Sequence, residues 1–284
     1  MPNDINIDKK TVESFGKEWL HFNQSEMTDH EDEKAFTEYF SVFPKSVFSD
    51  RSEGFDMGCG SGRWAKHVAP LVGKLNCIDP SDAITVAAVN LQHLDNVNLI
   101  SGSLSEPNIE PNSQDFGYCL GVLHHIPNTE AGINSCVSLL KPGAPFLLYI
   151  YYFFENRPIW FRLLWKISDL LRRLIIRCPD RVKVAVTDII ALFVYLPIAR
   201  LSYYLEKVGL QCSQLPLYYY RDRSFYTMRT DSRDRFGTPL EKRFTKNEIC
   251  QMMEKAGLVE IKFSDQLPFW CAVGFKKETE VADA

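Results

Sequence analysis

The sequence predicts an α/β fold in which a mostly parallel sheet is covered by helices on both faces. From Glu53 onward, short apolar segments with strand character alternate with helical segments, and such alternation implies parallel strands joined by crossover helices. The first strand runs into a glycine-rich turn, EGFDMGCGSGRW. About ninety residues, 155–242, are not needed by this alternation and form an insertion after the fifth strand.

The N-terminal segment, residues 1–50, is polar and acidic around aromatic landmarks. Four aromatic residues there fall at helical spacing until Pro44 stops the pattern: Phe36, Tyr39, Phe40 and Phe43. We therefore expect two short helices in this segment.

The strands expected after this segment are, in chain order, GFDMG, KLNCID, NVNLIS, DFGYCLG, PFLLYIYY, LVEIKFS and FWCAVGFKK. Helices are expected between them near residues 63–71, 83–91 and 129–140. A further helix, TKNEICQMMEKAGL, has Thr245 as its N-cap, Glu248 three positions later, and Gly257 to close it.

These elements divide the chain into three parts. A helical cap is expected over residues 1–50, a sheet core over 51–154 and 243–284, and an inserted lid over 155–242. The insertion leaves the sheet at the carboxyl end of the fifth strand, which is the side where such sheets bind ligands. We therefore expect the insertion to contact the substrate.

Composition narrows the class of protein. The chain has 284 residues, of which 45% are hydrophobic, so it can fill a sizeable core. Its formal net charge of -4 gives no general attraction for phosphate backbones, so nucleic acid is a poor candidate partner. Its eight cysteines form no C-x-x-C pair and no cluster with histidine, which indicates buried thiols in a reducing compartment and predicts no metal site.

The N-terminal segment and the lengths of the apolar runs indicate where the protein is located. The N-terminus lacks the basic-then-apolar order of a secretory signal, and we expect a cytoplasmic protein. The longest uncharged apolar runs, 142–154 and 189–199, are shorter than the ~20 residues that a membrane-spanning helix requires, so we expect no span.

The first part of the insertion, RPIWFRLLWKISDLLRRLIIRCP, has the pattern of an amphipathic helix between Pro158, in a first-turn position, and Pro179. Its apolar side carries Trp160, Leu163, Leu164, Ile167, Leu170, Leu171 and Leu174. Residues 157–183 include eight basic and two acidic residues. Two interpretations stay open for the helix between Arg157 and Arg177: it lies on an anionic membrane surface, or it is a lid helix whose solvated face is basic.

The glycine-rich turn predicts an anionic or nucleoside ligand. Backbone N–H groups at such a turn point toward the ligand at the positive end of the following helix, and glycines allow close approach. The dinucleotide fingerprint starting at Gly58 would require a small residue at position 63, where this chain has Arg63. The third glycine falls one position early, at Gly62, so a nucleoside other than a dinucleotide fits better.

The segment FDMGCGSGRWA resembles the first motif of class I S-adenosylmethionine-dependent methyltransferases of the small-molecule type. Four further family landmarks follow in order: IDPS, SGSLSEPN, DFGYCLGVLHHIPN and LLKPGAPFLLY. The resemblance covers residues 53–151 and again 244–276. It implies a Rossmann-like, doubly wound, seven-stranded sheet with an antiparallel last strand, and S-adenosylmethionine as the cofactor.

The resemblance also implies a set of cofactor-binding residues. They are Asp56, Gly58, Cys59, Gly60, Gly62, Asp79, Pro80, Ser103, Leu104, Leu120 and Gly121. Asp79 lies 17 residues past the last glycine, close to the ~20 at which an acid meets ribose hydroxyls in nucleotide folds. The alternatives are a helix cap for Asp79 and a local turn hydrogen bond for Asp56.

One departure from the family pattern lies after the third strand. Many members have an acidic residue there that contacts the adenine amino group, whereas this chain has Gly102-Ser103-Leu104. Ser103 can accept that hydrogen bond, although less strongly than a carboxylate.

Methyl transfer from a sulfonium is an in-line displacement that mainly requires positioning, with a general base as an option for a hydroxyl acceptor. His125 is the first candidate for that base and His124 the second, because both follow the fourth strand beside the expected crevice. The alternative is a structural ring hydrogen-bonded to backbone. Trp19 and Phe22 are candidates to close over the cofactor, with simple packing as the alternative.

The insertion is expected to form a cap with an aromatic inner surface and arginines at its rim, namely Arg221, Arg223 and Arg243. This predicts a small-molecule acceptor with an apolar or aromatic part; in the alternative, the aromatic residues pack the insertion's own core. A non-catalytic cofactor-binding sensor or assembly subunit is a competing function, while a nicotinamide oxidoreductase and a nucleic-acid methyltransferase are disfavoured. The acceptor and the oligomeric state stay open.

Overall fold

A computed structural model describes residues 6–278 of the chain. Its helices are α1 (Lys9–His21), α2 (Asp29–Tyr39), α3 (Ala65–Val68), α4 (Ala83–Asn90), α5 (Thr129–Leu139), α6 (Ile159–Ile175), α7 (Asp180–Ile190), α8 (Leu196–Lys207), α9 (Phe225–Gly237) and α10 (Lys246–Lys255). Its strands are β1 (Glu53–Met57), β2 (Lys74–Asp79), β3 (Val97–Ser101), β4 (Phe116–Leu120), β5 (Pro145–Tyr149), β6 (Leu258–Phe263) and β7 (Cys271–Lys276).

Within the described residues, the seven strands form one sheet in the order β3-β2-β1-β4-β5-β7-β6. Strands β1 to β5 pair in parallel, and β7 is antiparallel to both of its neighbours. The predicted fold class is confirmed, and each strand lies where the sequence placed it. The order of strands reverses between β1 and β4, which is where such sheets open a ligand crevice at their carboxyl ends.

At the centre of the sheet, two glycines each face a phenylalanine on the neighbouring strand. Gly54 of β1 is in register with Phe116 of β4, and Phe55 of β1 with Gly117 of β4. A Cβ on Gly54 would lie 2.2 Å from Phe116 Cζ, and one on Gly117 would lie 2.2 Å from Phe55 Cζ. Each glycine therefore makes room for a fully buried ring, which explains why two central strands carry a residue that strands usually avoid.

The N-terminal segment contains the two expected helices, α1 and α2. α2 ends at Tyr39, so the helix stops five residues before Pro44, and Phe40 and Phe43 follow it in turns. Both of these rings are buried in the core beside the sheet. All four aromatic residues of the pattern therefore contact the core, but only Phe36 and Tyr39 belong to a helix.

The helices of the sheet region match their sequence signals. The expected helix over 63–71 is α3 followed by a 3-10 turn, Ala69–Leu71. α10 begins with a capping box: the Thr245 hydroxyl accepts from the Glu248 N–H, and the Glu248 carboxylate accepts from the Thr245 N–H. Gly257, with φ +87°, ends it. The predicted caps of this helix are confirmed.

The chain divides into two compact units. In the described part, the first unit comprises residues 6–20, 35–153 and 240–278, and the second comprises 21–34 and 154–239. The second unit closely follows the predicted insertion, but it also takes 21–34 from the segment predicted as one cap. Its function as a lid stays a prediction. Residues 1–5 and 279–284 of the predicted parts lie outside the described residues.

The second unit contains α6, α7, α8 and α9. A π-helical turn, Ala191–Tyr195, joins α7 to α8. The unit has its own core around Tyr195, Ala199, Met228 and Phe236, against which Tyr220 packs. Tyr195 and Tyr220 therefore follow the alternative in which aromatic residues fill the insertion's own core.

One expectation for the insertion is corrected, and the expectation that no segment spans a membrane stays a prediction. Pro158 is the N-cap residue of α6 rather than a first-turn residue, because its ψ of 158° is extended. The continuous helical stretch Asp180–Lys207 is, by length and composition, apolar enough to cross a membrane, with 28% of its apolar window buried. The earlier criterion missed it because Asp188 and Arg200 interrupt the uncharged run without interrupting the helix.

The eight cysteines are all free thiols. Six are buried, whereas Cys178 and Cys250 are half-buried. The predicted core position is therefore confirmed for six of them.

We predict that Thr245→Ala lowers the free energy of unfolding by about 1 kcal/mol, because it leaves the first turn of α10 without its cap. Urea denaturation measures this change. Asn247→Ala, at an exposed position in the same turn, is the matched control and should stay within about 0.5 kcal/mol of the parent. Equal losses in both variants would show that the capping box contributes nothing specific.

Candidate functional site

The turn after β1 is held in a conformation that favours glycine. Gly58, Gly60 and Gly62 have φ values of +78°, +53° and +78°. A Cβ on Gly58 would lie 2.4 Å from Val122, and one on Gly62 would lie 2.7 Å from Leu91. Two of the three glycines are therefore required by packing as well as by backbone conformation.

Asp79 links this turn to the end of β2. Its Oδ2 accepts from the Gly60 N–H at 2.9 Å, and its Oδ1 accepts from the N–H and the hydroxyl of Ser81 at 2.8 and 2.6 Å. Burial raises the pKa of Asp79, and these three hydrogen bonds oppose that rise. The alternative for this residue was a helix cap, but the N-cap residue of α4 is Asp82, and Asp79 bonds to Ser81 in the turn before it. A carboxylate has about four acceptor sites, so Asp79 retains capacity for one further donor.

Asp56 is buried without such partners. Neither of its carboxylate oxygens makes a hydrogen bond within residues 6–278. Burial raises the pKa of Asp56 well above its ordinary value; the nearby Tyr118 hydroxyl partly offsets this, and Asp79 adds to it. The local turn hydrogen bond that was the alternative for Asp56 is not seen.

Two further buried polar groups without a hydrogen-bond partner in the described part of the chain lie close in sequence or register to Asp56, the Ser61 hydroxyl and the Tyr118 hydroxyl. Both ring nitrogens of His124, in the turn after β4, also have no such partner there. Tyr118 is the register partner of Asp56 on β4. Buried polar groups in folded proteins are nearly always hydrogen-bonded, so such a concentration indicates a site for a polar ligand.

The remaining predicted cofactor residues lie around the same strand ends. Cys59 is buried, and its N–H, like that of Gly58, donates to the Ile78 carbonyl. Pro80 is exposed. Leu104 and Leu120 are buried apolar residues, each with 7% of its surface exposed.

Ser103 and Gly121 differ from these buried residues, because Ser103 carries a hydroxyl and Gly121 faces open space. The Ser103 hydroxyl accepts from the Ser105 N–H at 3.3 Å, which is a local turn contact. The neighbouring Gly102 N–H donates to the Asp79 carbonyl at 3.3 Å, so the turns after β2 and β3 are tied together. Gly121, with φ +82°, has nothing within 4 Å of an added Cβ, so the end of β4 faces open space.

The two histidines lie on a 3-10 turn, Leu123–His125, directly after β4. Several hydrogen bonds fix this turn: the Thr129 hydroxyl donates to the Leu123 carbonyl at 2.8 Å, and the Lys242 N–H donates to the His124 carbonyl at 3.0 Å. The path of the turn that carries both rings is therefore fixed by these hydrogen bonds.

The two rings differ in their contacts. His125 Nδ1 lies 2.7 Å from the Leu240 carbonyl, a contact that requires a proton on Nδ1 and leaves Nε2 as the basic nitrogen of the neutral ring. The His124 ring lies 3.9 Å from the ring of Tyr151. Burial lowers the pKa of His124 well below its ordinary value, and the charges of His125 and Arg243 lower it further.

Each predicted rim arginine has a partner within its own unit. Arg221 pairs with Glu206 at 2.6 Å, and Arg223 donates to the Glu31 carbonyl at 3.2 Å. Arg243 pairs with Glu241 at 2.9 Å and lies 4.8 Å above the ring of Tyr151. Their predicted contact with an anionic acceptor therefore competes with internal ion pairs or hydrogen bonds.

Trp19 and Phe22, the two aromatic residues expected near the cofactor, belong to different units. Trp19 lies beside the glycine-rich turn, with its Nε1 3.2 Å from a Cβ built on Gly60. Phe22 belongs to the second unit, where its ring packs edge-on against Tyr226 at 5.8 Å. Simple packing, the alternative given for Phe22, describes its contact.

Sequence reasoning missed Ser61, Tyr118 and Tyr151 as site residues. Tyr118 lies on the predicted fourth strand, but only the register of β1 and β4 places it beside Asp56. Tyr151 comes directly after β5 and was seen only as part of an aromatic run. Among the described residues, no cluster of three or more His, Cys, Asp or Glu side chains is arranged to hold a metal ion.

Comparison with known proteins agrees with this geometry. Residues 55–148 match the model of a family described as "Methyltransferase domain". A ubiquinone biosynthesis O-methyltransferase from Albidiferax ferrireducens is 32% identical over 92 residues, which is 31% of this chain and 36% of that protein. One from Nitrosospira multiformis is 27% identical over 145 residues, 49% of this chain and 59% of that protein.

The chain therefore spans between about a third and three fifths of the length of these curated relatives. The fold is also similar to that of human N-acetylserotonin methyltransferase in complex with S-adenosylmethionine. The TM-score is 0.53 at 16% identity, over 93% of this chain and 57% of that one.

The matched domain, the strand order and the glycine-rich turn lead to one conclusion. Residues 55–148 are similar to a methyltransferase domain, and with the fold around them they support a class I S-adenosylmethionine-dependent methyltransferase.

Proposed function

We propose that this protein transfers a methyl group from S-adenosylmethionine to a small molecule with an apolar or aromatic part. The observation that carries the proposal is the buried carboxyl of Asp56, which has no hydrogen-bond partner in the described residues, beside a glycine turn with positive φ. A ligand with an ammonium group next to a nucleoside satisfies such an arrangement, and S-adenosylmethionine has both parts.

The residues present fit this cofactor. Asp56 suits the ammonium group of its amino-acid end, because a buried carboxylate without partners is stabilised most by a cation. Asp79 has acceptor capacity for a ribose hydroxyl while it stays bonded to the turn. Leu104 and Leu120 offer apolar surface for the adenine, and Ser103 a polar group at its edge.

When bound, the cofactor supplies an activated methyl group on a sulfonium, so the protein has mainly to position and to shield. The chain contributes fixed strand ends, which hold the acceptor in line for attack. A hydroxyl acceptor must lose its proton, and His125 is placed to take it at Nε2, since the Leu240 carbonyl holds the proton on Nδ1. His124, whose pKa is lowered by burial, contributes a neutral ring.

Two features support an aromatic hydroxyl as the acceptor. The curated relatives are named as O-methyltransferases of ubiquinone biosynthesis. In addition, the rings of Tyr149, Tyr151 and His124 lie at the carboxyl ends of β4 and β5. The centroid of the Tyr151 ring is 6.1 Å from that of Tyr149 and 3.9 Å from that of His124. Such rings suit the face of an aromatic acceptor. A mass-shift screen of phenols, prenylated quinones and sugar derivatives tests this assignment.

A non-catalytic sensor of the same cofactor would bind it without turnover. Release of S-adenosylhomocysteine with any acceptor in that screen supports the enzyme. Tight cofactor binding with no turnover across a broad acceptor library would favour the sensor instead.

We predict that Asp79→Asn weakens binding of S-adenosylhomocysteine about 10- to 100-fold, because hydrogen bonds to a charged acceptor contribute about 1.5–3 kcal/mol. Isothermal titration calorimetry measures the change. Asp82→Asn, three residues later and exposed, is the matched control and should bind like the parent. Equal affinity of the parent and Asp79→Asn would remove Asp79 from the site.

Asp56 should make cofactor binding depend on pH. Since burial raises the pKa of Asp56, its carboxyl holds a proton in the free protein at pH values where an exposed aspartate has lost it. Binding a ligand ammonium favours the ionised form, so binding should release a proton and affinity should rise with pH, by up to about tenfold per pH unit below that pKa.

Titrations in buffers of different ionisation enthalpy detect this proton directly. The heat of binding to the parent should depend on the buffer. For Asp56→Asn this dependence should be lost, because the asparagine amide has no proton to release. Buffer-independent heat in the parent would mean that Asp56 is ionised before the ligand binds, contrary to the assigned role.

His125→Gln should lower kcat about 100- to 1,000-fold with a hydroxyl acceptor while leaving affinity for S-adenosylhomocysteine within about twofold. The glutamine amide can still donate to the Leu240 carbonyl but cannot take a proton. His93→Gln, at an exposed position, is the control. A loss of less than about threefold, with an unchanged pH profile, would assign His125 a structural role.

A further inference from the structure

The second unit exposes an unusual amount of apolar surface. Of the 23 large hydrophobic side chains that are exposed in the described residues, 18 lie in this unit. Isolated exposed apolar side chains are normal on a soluble protein, but a contiguous set along packed helices marks an interaction surface. The surface is built by α6 and by the continuous helix α7–α8.

α6 is oriented opposite to an ordinary amphipathic helix of a globular domain. Eight apolar side chains are between 47% and 68% exposed: Ile159, Trp160, Leu163, Leu164, Ile167, Leu170, Leu171 and Leu174. Asp169 and Arg172 are buried instead, joined by an ion pair at 2.8 Å. The Arg172 guanidinium also donates to the Thr238 carbonyl at 3.0 Å, so these two charged side chains lie on the side of α6 that packs.

The α7–α8 helix shows the same orientation. Its buried side includes Lys183, Thr187, Tyr195 and Ser202. Its exposed side carries Ile189, Leu192, Phe193, Val194 and Leu201, of which Phe193 is 70% exposed. Both helices therefore bury charged and polar side chains, beside apolar ones such as Ala199, and expose large apolar side chains.

The partner of both inward faces is α9, which buries apolar side chains, Met228 and Phe236, as well as polar ones. Ser232 and Arg233 of α9 are buried, and the Ser232 hydroxyl donates to the Thr187 carbonyl at 2.9 Å. Arg229 forms a two-pronged ion pair with Asp188 of α7, with both N···O distances 3.0 Å. The charged and polar side chains of these helices are therefore paired inside the unit, whereas many large apolar side chains are left on its outside.

Basic side chains flank this apolar face. Lys166, Arg173, Arg177 and Arg181 are all exposed. The long Lys and Arg stems can extend along an apolar surface and place their charges at the level of lipid headgroups. In a symmetric contact between two copies, the same patch faces itself, so these like charges would approach one another. An anionic bilayer complements them.

We propose that the second unit docks in the plane of an anionic lipid bilayer through the exposed faces of α6 and α7–α8. An in-plane position follows from α9: if α7–α8 crossed the membrane, the charged residues Arg229, Arg233 and Arg235 beside it would lie at hydrocarbon depth, which is costly. The apolar faces enter the boundary between headgroups and acyl chains, and the basic residues meet lipid phosphates.

Vesicle sedimentation of the full chain tests this docking. Phosphatidylcholine vesicles are used with and without phosphatidylglycerol, at low and high salt. We expect binding that requires phosphatidylglycerol and falls with salt. Replacing Lys166, Arg177 and Arg181 together by Gln should weaken it about 100-fold, since each basic residue contributes about fivefold near an anionic surface. Ile167→Asn with Leu170→Asn should weaken it at least about 10-fold.

Matched controls lie in the first unit. Leu71→Asn with Val89→Asn removes two exposed apolar side chains there, and Lys45→Gln with Arg51→Gln removes two exposed basic ones. Both controls should bind vesicles like the parent, and circular dichroism confirms that every variant is folded.

The proposal is overturned if the parent does not bind phosphatidylglycerol vesicles, or if neither set of second-unit variants changes binding. A stable dimer in light scattering that Ile167→Asn with Leu170→Asn dissociates, without vesicle binding by the parent, would assign the surface to a second copy instead. None of these readouts depends on methyl transfer.

Discussion

The burial of two carboxyl groups at neighbouring strand ends is the constraint on which the site depends. Asp79 is compensated by three hydrogen bonds from Gly60 and Ser81, whereas Asp56 has none in the described part of the chain. A buried polar group without a partner costs stability, and a nearby like charge increases that cost. The first unit therefore gives up stability at one place, the crevice between β1 and β4, where a cationic ligand group would recover it.

The glycine-rich turn serves that same constraint. Its positive φ values bring the Gly60 N–H to Asp79, and Val122 and Leu91 fill the space beside Gly58 and Gly62. The turn is thus held from both sides before any ligand is considered. Such preorganisation reduces the entropy that binding has to overcome.

Much of the first unit could be predicted from the sequence, because its signals are local. Strand segments, helix caps such as Thr245, and the glycine spacing each depend on a few neighbouring residues. The pairing of Asp56 with Tyr118 depends instead on the register of β1 and β4, and these two residues are 62 positions apart in the chain (118 - 56 = 62). The division of the N-terminal segment depends on Glu31, whose contacts with Ser224 span 193 positions.

In the second unit, sequence prediction was limited in a different way. The pattern of α6 predicted two faces correctly, but periodicity does not specify which face packs inward. That choice is made by α9, a polar helix more than fifty residues later in the chain, which pairs with the charged sides of its neighbours. An apolar acceptor of the proposed kind would partition into a bilayer, so a membrane-docked second unit and a methyltransferase in the first would serve the same substrate class.

The most direct test of the central claim is calorimetric titration of the folded parent chain with S-adenosylmethionine, S-adenosylhomocysteine and NAD. The account predicts saturable heat with the two sulfur nucleosides and none with NAD. A folded chain that gives no heat with either sulfur nucleoside, or that binds only NAD, would contradict it.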